Sequence, residues 1–281
     1  MVSFMFFPEY IEVFGLDDFE TSVKTMEFVT QFTSCEFAVR PFIIKYGDKM
    51  LGRMLEWSLH ENDMVRRLAS EGSRPRLPWA MALPALKSNP TPILPILENL
   101  KNDTSEWVRK SVANNLNDIS KDNPDVVKAI AKKWKGVSKE TDWIIKHACR
   151  TLLKQGDEEV LAYFNHNKTG KVEVANLKVT NPELKIGEDL FFTFTLQNRE
   201  RTPQNIRIEY GIYYMKQNRS LSRKIYKISE RELQPDEKID ISRKQSFRII
   251  TTRKFYVGEH KLSIIINGRE QMITEFELSA D

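Results

Sequence analysis

Apolar residues recur at helical intervals through roughly the first 168 positions. In "DDFETSVKTMEFVTQF", Phe19, Val23, Met26 and Val29 fall three or four apart, on one face of an α-helix, with Asp17 and Asp18 ahead of them as capping residues. "KMLGRMLEWSLH", "PILPILENLKN" and "PDVVKAIAKKWKG" keep the same period, and Pro124 and Gly136 bracket the last of them as start and stop signals. At "YFNHNKTGKVEV" the texture changes. From Val172 the period falls to two, in "VEVANLKV", "LFFTFTLQN", "IRIEYGIYYM", "KIDISRKQSFRI" and "HKLSIIING", with turn signals at Asn181-Pro182, Gly187, Pro203, Gln234-Pro235-Asp236, Gly258 and Asn267-Gly268. About seven strands in this length predict an immunoglobulin-like antiparallel β-sandwich, without the Cys–Trp–Cys pattern of antibody domains. The expected organisation is therefore a helical domain over 1–168, a linker near 165–171 rich in Asn, Lys and Gly, and a β-sandwich over 172–281.

The helical half repeats weakly. "EFAVRPFI", "DMVRRLAS", "EWVRKSVANNL" and "DWIIKHACRTLL" each set an acid before apolar residues and then a base, namely Arg40, Arg66, Arg109 and Lys146, spaced by 26, 43 and 37 residues. Helix pairs recurring at about 40 residues suggest a HEAT-like α-helical solenoid, in which each pair buries its apolar face only against its neighbours. The second helices would then line a concave face with the recurrent base as a column of positive charge; the plainer alternative is that these bases cap and solvate helix starts.

Composition changes this picture little. The chain has 281 residues and a net charge of +4, too long for one small core and too near neutral to announce a nucleic-acid binder by charge alone. Positive charge is nonetheless concentrated: Val127–Lys154 and Arg199–Lys227 each carry eight Lys or Arg against two acids. Cys35 and Cys149 stand apart, outside any metal-spaced cluster, and the four histidines are scattered. No metal site, cofactor or membrane span is expected, and a monomer in the cytoplasm is the default. Glycine-loop, nucleophile-elbow and zinc motifs are missing.

What remains is carboxylates among bases and aromatics. Glu36 precedes Arg40 by four residues, a spacing that would place both on one helix face. Glu71 and Asp118 lie in the next two repeats. The break "ASEGSRPRLPWA" packs a glutamate, a glycine, two arginines, two prolines and a tryptophan into Glu71–Trp79. Pro75 and Pro78 cannot continue a helix, so Arg74 and Arg76 are expected on a loop, with Trp79 at or near the next helix start.

"TQFTSCEFAVRPFI", "ASEGSRPRLPWA" and "WVRKSVANNLNDISKDNP" resemble the AlkC group of DNA alkylation repair proteins, relatives of the AlkD glycosylases built on HEAT-like repeats. The resemblance covers residues 1 to about 165, and members of the group can carry a C-terminal immunoglobulin-like domain. The group usually has further helices upstream of the segment resembling "FPEYIEVFGLDDFE", so the chain is expected to be N-terminally short relative to it. The resemblance implies a DNA glycosylase that hydrolyses the N-glycosidic bond of cationic alkylated bases such as 3-methyladenine and 3-methylcytosine in double-stranded DNA, without a deep base-flipping pocket. By position, it implies Glu71, Trp79, Glu36 and Asp118 as catalytic residues. Arg40, Arg74, Arg76 and Arg109 become the expected phosphate contacts, and the basic 199–227 stretch of the sandwich a clamp on the duplex. The competing readings are a non-catalytic DNA-binding protein and a protein-interaction scaffold.

Overall fold

The computed structural model describes residues 6–164, 166, 171–249 and 254–280. Most of the expected linker, and Met1–Met5 of the apolar start, lie outside the described residues. The chain packs into two units, Met1–Leu152 and Leu153–Asp281.

The first unit is helical. It contains α1 (Phe6–Phe14), α2 (Phe19–Val29), α3 (Val39–Tyr46), α4 (Asp48–Trp57), α5 (Asp63–Gly72), α6 (Pro84–Ser88), a 3-10 turn (Thr91–Ile93), α7 (Leu94–Leu100), α8 (Glu106–Ile119), α9 (Pro124–Trp134) and α10 (Lys139–Ala148). Local signals set the ends: Asp18 caps α2 by accepting from the Thr21 amide at 3.2 Å, Pro124 opens α9, and Gly136 follows it with φ of 74°. Helices pair as α4 with α5, α7 with α8, and α9 with α10; the second members also pack on one another, α5 on α8 and α8 on α10. Met50, Met54 and Trp57 of α4, Val65 and Leu68 of α5, Ile96 and Leu97 of α7, and Val108, Val112 and Leu116 of α8 are buried between these layers. This is the stacked-pair architecture the repeats predict.

The recurrent arginine serves that stacking. Arg66 Nη1 donates to the carbonyls of His60 and Glu61 at 2.9 and 2.7 Å. Arg109 Nη1 donates to the equivalent carbonyls of Asp103 and Thr104 at 2.7 and 2.9 Å. Each ties down the loop before its own helix, five and six residues upstream, so at these two of the four recurrent positions the base fastens a loop.

The last two helices are α11 (Arg150–Gln155) and α12 (Glu158–Tyr163). Helical texture thus runs to Tyr163, but the packing divides at Leu152, earlier than the expected change at 168–172, because α12 belongs with the strands: Leu161 and Gly156 meet Gly268.

Eight strands follow among the described residues: β1 (Val172–Val179), β2 (Glu183–Lys185), β3 (Asp189–Asn198), β4 (Gln204–Met215), β5 (Leu221–Leu233), β6 (Lys238–Ser246), β7 (Gly258–Ile266) and β8 (Arg269–Ser279). They form a sheet ordered β1-β3-β6 and a second ordered β2-β8-β7-β4-β5. Phe192, Phe194, Ile206, Ile208, Ile264 and Phe276 fill the sandwich core. Asn267 and Gly268 turn β7 into β8 with φ of 48° and 72°, the two left-handed residues of a type I′ hairpin. The basic 199–227 stretch becomes β4 and β5, and much of its charge is paired: Arg207 is buried against Glu209 and Glu230, each at 2.6 Å, Arg199 meets Glu173, and Arg223 meets Glu270.

Candidate active site

The break after α5 is a loop over Ser73–Leu83, and α6 begins only at Pro84. Trp79 is therefore not at a helix start. It sits on the loop in a left-handed conformation, φ 65°, with 97% of its surface exposed. A bulky residue rarely adopts this backbone, which costs about 1–2 kcal/mol. The loop is held from below. Arg40, fully buried in α3, donates through Nη1 to the carbonyls of Gly72 and Arg74, each at 2.9 Å, and through Nε to that of Met81 at 2.7 Å. One guanidinium thus fastens both ends of the loop. Arg76 adds a bidentate pair with Asp122 at 2.8 and 2.6 Å.

Glu71 lies in the last turn of α5 and is only 6% exposed. The next residue must be small, since a Cβ on Gly72 would lie 2.5 Å from Val39 Cγ1. Arg74 turns back beneath it, donating Nη1 to Glu71 Oε1 at 2.6 Å and Nε to Asp118 Oδ2 at 2.8 Å. Asp118, buried in α8, also accepts from Lys121 at 2.8 Å through Oδ1. On the other side Arg67 donates to Glu36 Oε2 at 2.8 Å and lies 4.0 Å from Glu71 Oε1, while Ser34 Oγ donates to the same Glu36 oxygen at 2.8 Å. The three carboxylates are joined through alternating cations, in the order Glu36, Arg67, Glu71, Arg74, Asp118, Lys121.

Two oxygens in this chain stay open. Among the described residues, no hydrogen bond reaches Glu71 Oε2 or Glu36 Oε1. Both oxygens of Asp118 are taken by cations. Beneath the row, Asn115 donates to the Ser70 carbonyl at 2.8 Å and Ser111 to Ser70 Oγ at 2.9 Å, locking α5 to α8. These donors are paired, whereas Asn115 Oδ1 and Arg40 Nη2 are buried without a partner among the described residues.

Electrostatics follow from the burial. Burial, and then the neighbouring Arg74, bring the Arg40 guanidinium down to about 10, still charged at neutral pH. Burial also works against charge on Arg74, but Glu71 and Asp118 outweigh it and raise its affinity for protons. Beyond Asp118, Arg150 donates to the His147 carbonyl at 2.8 Å and to Asn114 Oδ1 at 3.1 Å. His147 stacks on Trp143 at 5.2 Å between ring centroids, and burial above all takes its imidazole down to about 4.

Of the expected catalytic residues, Glu36, Glu71 and Asp118 come together in one row. Glu36 does so from the turn before α3, paired to Arg67 on α5; it does not share a helix face with Arg40. Trp79 projects from the loop that follows Glu71. Two of the four expected phosphate contacts are corrected: Arg40 is sealed beneath the loop and Arg74 is consumed by Glu71 and Asp118. Arg76 is paired to Asp122 at the surface, and Arg109 ties the α7–α8 loop through Nη1. A loop with two prolines forms few regular backbone hydrogen bonds, and arginines supply the missing donors. Arg67, Lys121 and Arg150 were missed; only the four-residue spacing of Arg67 and Glu71, and the three-residue spacing of Asp118 and Lys121, were visible in the sequence. A groove of about 740 Å³ is lined by Glu9, Glu12, Phe32, Glu36 and Phe37 among others, and not by Glu71, Asp118 or Trp79. Among the described residues no cluster of three or more His, Cys, Asp or Glu could hold a metal ion, and no helix is long and apolar enough to cross a membrane.

Both halves of the chain are similar to known proteins. Residues 16–152 match the family model described as DNA alkylation repair enzyme, and residues 173–280 match the C-terminal Ig-like domain of the uncharacterised protein YhaZ. The chain is 47% identical over 277 residues to YhaZ of Bacillus subtilis (strain 168), covering 99% of this chain and 77% of that protein. It is also similar to the alkylpurine DNA glycosylase AlkC of Pseudomonas fluorescens, solved bound to DNA containing an abasic site analog. The two superpose with a TM-score of 0.94 at 39% identity, over 99% of this chain and 77% of the other.

Proposed function

The chain belongs to the AlkC group of DNA alkylation repair enzymes, and on that premise we propose that it is a DNA glycosylase for cationic alkylated bases, 3-methyladenine and 3-methylcytosine among them, in double-stranded DNA. The observation that carries this reading is the carboxylate row: two buried or half-buried glutamates, Glu71 and Glu36, each keep one oxygen free of protein partners.

Methylation at a ring nitrogen leaves the base positively charged and already a good leaving group. When the bond from C1′ to the base nitrogen breaks, its electron pair goes to the base, which leaves neutral. Positive charge passes to the deoxyribose as an oxocarbenium centre, and water adds to C1′ and gives up a proton. A general acid is not needed to release such a base. A fixed negative charge near C1′ is needed, because it stabilises charge that grows only in the transition state. Glu71 is assigned that role, its free Oε2 facing the developing charge or orienting the water as carboxylates do in glycoside hydrolysis. Glu36 supports it. Asp118, with both oxygens engaged, fixes Arg74 and through it the Glu71 carboxylate. The exposed Trp79 ring offers a π-face to the cationic base or sugar, worth about 0.5–2 kcal/mol. Since the row lies along helix ends and a loop, the lesion is read without a deep pocket.

The direct test is release of methylated bases from alkylated duplex DNA by the purified chain, with the bases identified by chromatography. Absence of release under conditions where the Pseudomonas enzyme is active would remove the proposal.

A further inference from the structure

With Arg40 and Arg74 buried in the fold, another arginine near the carboxylates is in place to hold an anion. Each arginine around the row has a committed partner. Arg67 meets Glu36, Arg74 meets Glu71 and Asp118, and Arg76 meets Asp122. Arg40 is buried and donates to carbonyls through Nε and Nη1, leaving Nη2 sealed in the interior without a partner. Arg150 differs. Its hydrogen-bond acceptors, the His147 carbonyl and Asn114 Oδ1, are both neutral, and the residue is only partly buried. Its guanidinium is half-desolvated, pre-oriented by two hydrogen bonds, and carries a charge no bonded carboxylate cancels.

Its setting favours an anion. Around the row, the carboxylates Glu36, Glu71 and Asp118 face Arg40, Arg67, Arg74, Lys121 and Arg150, so cations outnumber carboxylates five to three. The groups facing Arg150 add no compensating negative charge. Arg74 repels it, and Asp118, the one carboxylate in its field, is already bonded to Arg74 and Lys121. The neighbouring imidazole of His147 stays neutral at physiological pH. A guanidinium held this way matches phosphate oxygens, with a fixed fork and no rotamer search at binding.

We propose that Arg150, set by Asn114 and the His147 carbonyl, binds a backbone phosphate of the DNA duplex beside the carboxylate row and so registers the damaged nucleotide against Glu71. This rests on the DNA glycosylase reading and names a phosphate-holding residue within it. It also gives the site both signs of charge that its substrate needs: carboxylates for the cationic sugar and base, and a guanidinium for the diester next to them.

The test is the affinity of the full chain for a duplex carrying an abasic-site analogue, measured by fluorescence anisotropy across a salt series, alongside base release. Each phosphate neutralised contributes about 0.9 to the slope of log affinity against log salt. Arg150→Gln is expected to flatten the slope by about that amount and to weaken binding roughly tenfold at low salt, whereas Arg150→Lys keeps the slope and loses only the fork. Thermal melting checks that the variants fold. Should the glutamine variant not fold, Asn114→Ala takes its place, with affinity expected to fall several-fold at an unchanged slope. A wild-type chain that releases methylated base while Arg150→Gln binds with the wild-type slope, or while Asn114→Ala binds with wild-type affinity, overturns the Arg150 assignment alone. A wild-type chain without salt-dependent duplex affinity overturns the glycosylase reading with it.

Discussion

The Nε of Arg40 donates to the carbonyl oxygen of Met81 at 2.7 Å, across 41 residues of sequence. The same guanidinium holds Gly72 and Arg74 through Nη1, so a single buried side chain spans the loop that presents Trp79 and the helix end that presents Glu71. Position of the site is therefore an interior property. The residues that would meet DNA are aimed by one that never sees solvent.

Replacing Arg40 is expected to cost far more than a surface arginine would. Arg40→Ala strands two buried carbonyls, of Gly72 and Arg74, each worth about 1–3 kcal/mol when left unpaired, frees the half-buried one of Met81, and opens a void. A loss of about 3–5 kcal/mol is the expected scale, read as a lower urea midpoint. Arg40→Lys keeps the charge but cannot reach all three acceptors, and should fall between. Wild-type stability in both variants would show that the loop has other support.

Glu71→Gln tests the chemistry with little change in shape. Glutamine can still accept from Arg74 through its carbonyl oxygen, so the fold should hold, but the negative charge opposite the oxocarbenium centre is lost. A fall of at least about 100-fold in single-turnover base release is expected, as for removal of one preorganised transition-state group, with affinity for an abasic-analogue duplex changed much less. Equal losses in binding and in rate would mean that Glu71 acts in docking.

Trp79 should separate activity from stability in the opposite sense to Arg40. Its ring is almost wholly exposed, so Trp79→Ala is expected to leave stability within about 0.5 kcal/mol while lowering base release. Because the position is left-handed, Trp79→Gly should be the more stable of the two by up to about 1 kcal/mol. A large drop in melting temperature in both variants would mean the ring packs against something.

Much of this was legible in the sequence. The switch of period from 3.6 to two located the helices and strands, because burial of one face is written into which residues are apolar. Pro75 and Pro78 announced the loop, and Asn267-Gly268 the hairpin. The roles of the arginines were not legible. Whether Arg40 or Arg150 meets solvent depends on which carbonyls and carboxylates the fold sets opposite each, and those partners lie tens of residues away: Arg74 pairs with Asp118 across 44 positions. β5 and β8 are not legible in the sequence either, since their charged, partly exposed residues blur the alternation.

Gly156 and Gly268 make the strand unit sensitive at one point. A Cβ on Gly268 would lie 2.5 Å from Gly156 Cα and 3.0 Å from Leu161 Cδ1, and both glycines have positive φ, 72° and 76°. Gly268→Ala therefore meets both strain and a backbone clash, and should destabilise the chain by more than the roughly 1 kcal/mol of an unfavourable φ alone. Gly187, with φ of 106° and nothing within 4 Å of its Cβ position, is the control, where alanine pays only the conformational cost. Equal losses at the two positions would remove the close approach as the cause.

His147 should make stability depend on pH in a defined window. Its imidazole is held down to about 4 by burial, and then by Arg150 and Lys110, whereas in the unfolded chain it titrates near 6.5. Between those values the unfolded state takes up a proton that the folded state refuses, so falling pH favours unfolding. The contribution is intact above about 6.5, is lost progressively as pH drops, and is gone near 4. The shift corresponds to about 3 kcal/mol at most, and less after allowance for the solvent that reaches this half-buried ring. Carboxylates titrate in the same range, so the measurement is a difference: urea midpoints of wild type and His147→Gln from pH 7.5 to 4.5. Glutamine can keep the contact that His147 Nε2 makes with Asn114 Oδ1 at 3.3 Å but carries no titrating proton. The wild-type advantage should shrink, and can reverse, as pH falls. Parallel curves for the two proteins would sink the assignment of His147 as a buried, neutral histidine.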